Sequence, residues 1–129
     1  MDDYNADFII IDNQRFNIKV KAGVKRTADF LYKTAKRLQS GTLDAELIGV
    51  YYNFSNIQFE KQTDDNYNEY NRLYDKLTQP TEFHTLVIGN YTFIGYCNSI
   101  NDEIYLWKDG KPYYKNLSVA LTSKNPARR

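Results

Sequence analysis

The sequence predicts a mainly β domain with one α-helix, its strands arranged as an antiparallel two-sheet β-sandwich or as an open barrel. Three observations predict this class. Several short segments alternate apolar and polar residues with the period of two that strands require. Turn dipeptides separate these segments, and the strongest of them is Asp109-Gly110. Only residues 64–80 show the spacing of three and four that indicates an amphipathic helix.

Two strands are predicted near the N-terminus. Residues 8–11 form a short apolar run that ends at a polar turn over 12–14. Phe16, Ile18 and Val20 then alternate with polar and charged residues, which is the pattern of a strand with one wet face. We therefore predict a strand on each side of the turn.

Segment 24–41 has two interpretations. Residues 28–32 favour a strand, whereas residues 34–38 have good helical propensity. We interpret the segment as a strand followed by an extended basic loop over 33–41. This loop exceeds the usual length of a hairpin connection, and long loops often carry interactions. It is predicted to contact a neighbouring subunit through Lys33, Lys36, Arg37, Gln39, Ser40 and Gly41.

The middle of the chain predicts a long bent strand and then the helix. β-Branched and aromatic residues fill 43–60, and their parity changes near Ser55-Asn56, which indicates a bulge. Asp64 and Asp65 precede a stripe of three tyrosines and two leucines, so acidic residues stand where the helix dipole favours them. The helix is expected to end near Pro80, because proline cannot continue it.

The C-terminal third predicts more strands. In order, the elements are a strand at 83–88, a turn at Gly89-Asn90, a strand at 91–97, a polar turn at 101–103, a strand at 104–107, a turn at Asp109-Gly110 and a strand at 117–121. No linker or repeat interrupts the pattern. The chain therefore forms one domain over residues 1–129, with flexible tails predicted at 1–7 and 124–129.

Composition narrows the possible functions. Lys plus Arg total 17 against 16 Asp plus Glu, so the charge gives no reason to expect a nucleic-acid partner. No apolar run approaches the ~20 residues of a membrane span, and no membrane association is expected. The N-terminus has no secretory signal pattern and the single cysteine cannot form an intrachain disulfide, which fits folding in a reducing cytoplasm. The 12 tyrosines suit sheet surfaces that become interfaces.

Candidates for chemistry are few. His84 is the only histidine and Cys97 the only cysteine, and both belong to one predicted hairpin in which they could approach each other. Each is explained more simply as an ordinary strand residue. The glycines are scattered and form no phosphate-binding loop, and no set of metal-ligating residues stands out. We therefore predict no catalysis, no cofactor and no metal site.

The order of elements resembles a known family. After the basic loop come the stretches IGVYYNF at 48–54, LYDKLTQP at the helix end, 73–80, and HTLVI at 84–88. DGK at 109–111 and YYKNLSV at 113–119 continue the series towards the two terminal arginines. Over roughly residues 15–129, the chain resembles small proteins encoded in the tail modules of long-tailed bacteriophages (siphophages) and prophages of Gram-positive bacteria.

This resemblance implies a virion structural protein without catalytic residues. It implies a fold similar to tail-tube proteins and to the N-terminal domain of distal tail proteins: two packed sheets, a flanking helix and assembly into rings, commonly of six subunits. The implied role is that of a minor tail, distal tail (baseplate) or tube-completion protein. The expected partners are further copies of the chain and other phage tail proteins. The expected location is the virion tail, assembled in the cytoplasm of the bacterial host.

An alternative interpretation is a small carbohydrate- or ligand-binding module. The aromatic surplus would then line a sugar-binding face on the sheet. The candidate face consists of Tyr105, Trp107, Tyr113 and Tyr114. A solvent-exposed row of these rings on a monomer would favour this interpretation.

Overall fold

The computed structural model describes residues 6–128, which form a mainly β structure with one α-helix. The elements are β1 (Ile9–Ile11), β2 (Gln14–Phe16), β3 (Lys25–Arg37), β4 (Leu43–Gln58), α1 (Tyr67–Leu77), β5 (His84–Ile88), β6 (Tyr91–Lys108) and β7 (Lys111–Ser123). The seven strands form one antiparallel sheet in the order β2-β1-β5-β6-β7-β4-β3. This confirms the predicted mainly β class with one helix.

One hydrophobic core joins the sheet to the helix. Its large, fully buried members are Tyr70, Phe16, Phe59, Ile9, Ile11, Ile18, Ile57, Leu73, Leu77, Leu86, Leu117 and Leu121. The sheet is not closed into a barrel, although Val20 makes isolated bridges to Ala6 and to Phe59. The described strands belong to a single sheet, so the predicted division into two packed sheets is not confirmed.

The N-terminal alternation is confirmed in burial but only partly in strand structure. Phe16, Ile18 and Val20 are buried, and their polar neighbours are exposed. The regular strand nevertheless ends at Phe16, and the segment after it continues through single backbone bonds, such as the one from the Lys21 N–H to the Gln58 carbonyl. Burial alternates because these side chains face the core, whether or not a full ladder forms.

The predicted basic loop over 33–41 is wrong, as is the helical alternative over 34–38. The strand β3 continues to Arg37, and a short turn joins it to β4. In this turn the Leu38 N–H donates to the Thr42 carbonyl at 2.7 Å, and Gly41 has a φ of +90°. Strand structure persists because most of the polar residues have a cross-strand partner, such as Lys36 opposite Asp44, while Lys33 lies at a register shift between Tyr32 and Thr34.

The predicted bend and helix are both confirmed. The β4–β7 register shifts between Phe54 and Ile57, and Asn56 between them has a φ of +59°. The helix begins at Tyr67, after Asn66, and ends at Leu77, where the Thr78 hydroxyl donates back to the Tyr74 carbonyl. The inward face of α1 is the predicted stripe, with Tyr70, Leu73 and Leu77 buried.

Both predicted C-terminal hairpins are confirmed, at Gly89-Asn90 and at Asp109-Gly110. The polar turn predicted at 101–103 is wrong, because β6 runs unbroken from Tyr91 to Lys108. β7 pairs with this strand from Gly95 to Lys108, and the polar residues lie at irregularities of the ladder, one of them between Asn101 and Glu103.

The structure describes part of each predicted flexible tail. Of the predicted flexible tails, residues 1–5 and 129 lie outside the described residues. Residues 124–128 run beside the sheet, where the Lys124 N–H donates to the Ile94 carbonyl and the Ala127 N–H donates to the Val50 carbonyl. Within the described part of the chain, no helix has the length and apolar character to cross a membrane.

Candidate functional site

The most exposed part of the sheet is the outer half of the β3–β4 hairpin, residues 30–48, which we call the distal hairpin. All 13 residues of β3 and the first six of β4 are exposed to solvent. Phe30 is 59% exposed although it is a large aromatic residue. The exposed large apolar residues of the distal hairpin are Phe30, Leu31, Tyr32, Leu38, Leu43, Leu47 and Ile48.

The distal hairpin is exposed because no other described element covers its faces. β4 pairs with β7 only from Phe54 onwards, so the hairpin extends beyond the body of the sheet. The C-terminal segment reaches β4 at Val50, whose N–H donates to the Arg128 carbonyl at 2.8 Å. From there to the turn, the two strands contact each other through their cross-strand pairs.

This exposure is unfavourable for an isolated chain. Burying a Leu, Ile or Phe side chain stabilises a protein by about 1.5–3 kcal/mol, and contiguous exposed apolar surface marks interaction sites. β3 is also an edge strand, so its outer N–H and C=O groups have no strand partner within the described residues. The distal hairpin thus combines exposed apolar side chains with an open backbone edge.

The predicted assembly residues lie together at the end of this hairpin, although in a different conformation from the one expected. Lys33, Lys36 and Arg37 lie on β3, and Gln39, Ser40 and Gly41 form the turn. The Arg37 Nη1 donates to the Gly41 carbonyl at 2.8 Å and braces the turn. All six residues are exposed, and their role in assembly stays a prediction.

The four residues of the predicted aromatic face do not form one exposed row. Trp107 is 65% exposed, whereas Tyr113 is only 8% exposed and its hydroxyl donates to Asp64 Oδ1 at 2.7 Å. Tyr105 and Tyr114 are half-buried, and the Tyr105 hydroxyl donates to a backbone carbonyl at 2.6 Å. Carbohydrate binding stays a hypothesis in which Trp107 is the one exposed member of the proposed face.

His84 and Cys97 both line a surface cavity of about 600 Å³ between the end of α1 and β6. His84 is buried, and its Nδ1 lies 2.7 Å from Asp12 Oδ2, while no hydrogen bond joins it to Cys97. Burial and the negative charge of Asp12 raise the pKa of the Cys97 thiol to about 11. A thiol with this pKa is protonated at neutral pH, which is unfavourable for a nucleophile.

This environment predicts slow thiol chemistry at Cys97. Because its pKa rises from 9.0 to about 11, the thiolate is scarcer but more nucleophilic, and we expect native Cys97 to react with an aromatic disulfide reagent at pH 7 at least about tenfold more slowly than the same thiol in urea. Stopped-flow absorbance measures both rates. An equal or faster reaction in the native chain would instead indicate an activated cysteine and would favour a catalytic role for Cys97 with His84.

A second cavity, of about 390 Å³, was not predicted from the sequence. It lies between α1 and the β6–β7 pair and is lined by Tyr70, Asn71, Tyr74, Asp75, Asp102 and Tyr114. The Tyr70 hydroxyl donates to Asp102 Oδ2 at 2.9 Å, and the Tyr70 and Tyr114 rings are nearly parallel with centroids 6.4 Å apart. The sequence patterns predict Asp102 in a turn, Tyr70 and Tyr74 in the helix stripe and Tyr114 on the aromatic face, so they contain no signal for this cavity.

The sequence matches no protein-family model and no curated protein. Among residues 6–128, no group of three or more His, Cys, Asp or Glu side chains is placed to hold a metal ion.

Proposed function

We propose that this chain is a structural component of a bacteriophage or prophage tail that acts by assembling with copies of itself and with other tail proteins. The observation that carries the proposal is the distal hairpin, whose apolar side chains are exposed on strands with no covering layer. A tail subunit needs such surfaces, because it must bury them against its neighbours.

The edge strand supports assembly into a ring. An exposed edge pairs readily with a neighbouring chain, and a heterologous contact closes into a ring when the rotation permits. Lysines at positions 25, 33 and 36 along β3 oppose indiscriminate pairing, since charges on an edge strand discourage aggregation. The neighbour that docks here must therefore offer a complementary surface.

The proposal includes a likeness to the tail-tube fold. What supports this is an antiparallel sheet flanked by one helix, together with the resemblance of residues 15–129 to small tail proteins. The proposed role is that of a minor tail, distal tail or tube-completion protein in the virion tail. Six subunits per ring is the stoichiometry that the resemblance favours.

The hairpin is tested by removing its apolar character while keeping its strands. We expect the triple variant Phe30→Thr, Leu31→Thr and Ile48→Thr to lose self-association, because threonine keeps strand propensity but offers little apolar surface. Size-exclusion chromatography with light scattering over a concentration series measures the association. Electron microscopy of the same samples shows whether the associated state is a ring.

The matched control keeps the three positions apolar. The variant Phe30→Leu, Leu31→Val and Ile48→Val should associate nearly as the wild type does. A wild-type chain that stays monomeric at every concentration, or a threonine variant that associates like the wild type, would contradict assembly through the hairpin. Antibodies against the chain should label the tails of virions, and labelled heads with unlabelled tails would contradict the tail assignment.

A further inference from the structure

The cavity between α1 and the β6–β7 pair has the chemistry of a cation site. Three tyrosines line it, and two carboxylates, Asp75 and Asp102, lie among them. Its volume of about 390 Å³ falls within the range of ligand pockets. None of its lining residues is basic, so the cavity supplies negative charge without a counter-charge of its own.

Asp102 is the centre of this charge. It is half-buried on an irregular stretch of β6, where the register with β7 shifts between Asn101 and Glu103. Such irregularities redirect side chains out of the regular pleat. One carboxylate oxygen accepts the Tyr70 hydroxyl at 2.9 Å, and no Lys, Arg or His among the described residues forms a salt bridge with this carboxylate.

The pKa values of the lining residues are consistent with a site for positive charge. Burial raises the pKa of Asp102 even though the hydrogen bond from Tyr70 acts in the opposite direction. Burial and the charge of Asp102 also raise the pKa of Tyr74, and they raise that of Tyr70 further. Each of these shifts has the sign that a bound positive charge would reverse.

The tyrosine rings select the kind of cation. Ring faces attract cations within about 6 Å, and they suit weakly hydrated groups such as guanidinium or alkylammonium. Tyr70 and Tyr114 lie nearly parallel, and Tyr74 follows Tyr70 by one helical turn on α1. Ca²⁺ and Mg²⁺ prefer oxygen ligands and gain little from ring faces, and no group of three or more His, Cys, Asp or Glu side chains among the described residues is placed to hold a metal ion.

We propose that this cavity binds an organic cation, a guanidinium or ammonium group, held by the Asp102 and Asp75 carboxylates and by the faces of Tyr74 and Tyr114. The cation comes either from a small molecule in solution or from a basic side chain on the distal hairpin of a second copy. In both cases the chemistry is the same. The site is independent of the proposed function, because a monomeric chain would still bind the free cation.

Argininamide and citrullinamide provide the test, since they have nearly the same shape and only the first is charged. Amide NMR spectra of the labelled full chain are recorded during titration with each compound. We expect argininamide to shift resonances around Tyr74, Asp102 and Tyr114, with an affinity at least about tenfold above that of citrullinamide. Equal binding of the two compounds, or no binding of either, would overturn the proposal.

The variant Asp102→Asn removes the charge while its amide oxygen can still accept the Tyr70 hydroxyl. We expect it to weaken argininamide binding by about tenfold or more. The control is Asp109→Asn, the same chemical change at an exposed turn. Wild-type affinity in Asp102→Asn would overturn the proposal, and well-dispersed spectra of both variants verify that they are folded.

Measuring the self-association of variants distinguishes the two possible sources of the cation. If a second copy supplies it, Asp102→Asn and the combined variant Lys33→Gln, Lys36→Gln and Arg37→Gln will both weaken self-association, and argininamide will compete with it. If a free ligand supplies it, Asp102→Asn will lose argininamide binding and associate like the wild type. Both outcomes support the site and identify its ligand.

Discussion

Replacing Gly95 by alanine is expected to lower the free energy of unfolding by about 3 kcal/mol or more. Gly95 lies on β6, which is paired with β5 on one side and β7 on the other. A Cβ atom at this position would overlap the carbonyl oxygen of Thr122 and lie 2.8 Å from its carbonyl carbon. A strand backbone cannot yield as a flexible side chain does, so β6 and β7 would have to separate there.

The matched control is Gly49→Ala on β4. There the added Cβ would lie 3.0 Å from the Arg128 carbonyl oxygen and from Pro126 Cβ, which belong to the C-terminal segment. This segment can shift without opening the sheet, so we expect a loss below about 1 kcal/mol. Urea unfolding followed by circular dichroism measures both variants, and similar stabilities would contradict the close β6–β7 approach at Gly95.

The helix and the hairpin turns were predictable because their signals are local. The apolar spacing of α1 and the Asp109-Gly110 dipeptide each lie within a short window of sequence, and both predictions are confirmed. Asp109 and Gly110 have φ values of +53° and +76°, the positive angles that a two-residue hairpin turn requires. Only a few residue types adopt these angles easily, so the sequence shows such turns directly.

The distal hairpin was predicted incorrectly because strand patterns depend on contrast between two faces. In β3 both faces are exposed, so Lys33, Lys36 and Arg37 show no alternation and resemble a loop. What holds them in a strand is pairing with β4, for example Ala35 opposite Ala45. The polar stretch at 101–103 was mistaken for a turn for the same reason, since β7 supplies its pairing.

The tyrosine-lined cavity depends on contacts between distant parts of the chain. Asp102 meets Tyr70 across 32 residues, and their contact requires both the irregular stretch of β6 and the approach of α1. The stripe of tyrosines and leucines predicted a buried helix face, but it did not show that Tyr70, although buried in the core, and half-buried Tyr74 both line a cavity. The composition, with its 12 tyrosines, indicated partly buried aromatic surfaces but not which tyrosines form them.

Asp12 also makes polar contacts with residues that are distant in sequence. Its Oδ2 lies 2.7 Å from His84 Nδ1, its Oδ1 accepts the Thr85 N–H at 2.8 Å, and Lys76 Nζ lies 3.6 Å from Oδ2. Asp12 has a φ of +50° in the turn between β1 and β2. One carboxylate thus ties this turn to β5 and to α1.

We expect Asp12→Asn to lower the free energy of unfolding by about 2–3 kcal/mol at pH 7, because the amide has one acceptor oxygen for two donors and leaves buried His84 poorly paired. Asparagine tolerates the positive φ, so backbone strain does not contribute. The control Asp109→Asn makes the same change at a similar φ in an exposed turn and should cost less than about 0.5 kcal/mol. Urea unfolding measures both, and equal stabilities would contradict a structural role for Asp12.

The effect of Asp12 should also depend on pH in a defined direction. Burial acts to raise the pKa of Asp12, but the hydrogen bonds from Thr85 and His84 and the positive charge of His84 and Lys76 hold it below its ordinary value of 3.8. As pH falls, the unfolded chain therefore takes up this proton before the folded protein does, and the stabilisation is lost. The stability gap between wild type and Asp12→Asn should be full above pH 3.8 and narrow below it. A gap that widens below pH 3.8 would mean that the carboxylate is not stabilised in its charged form by these partners.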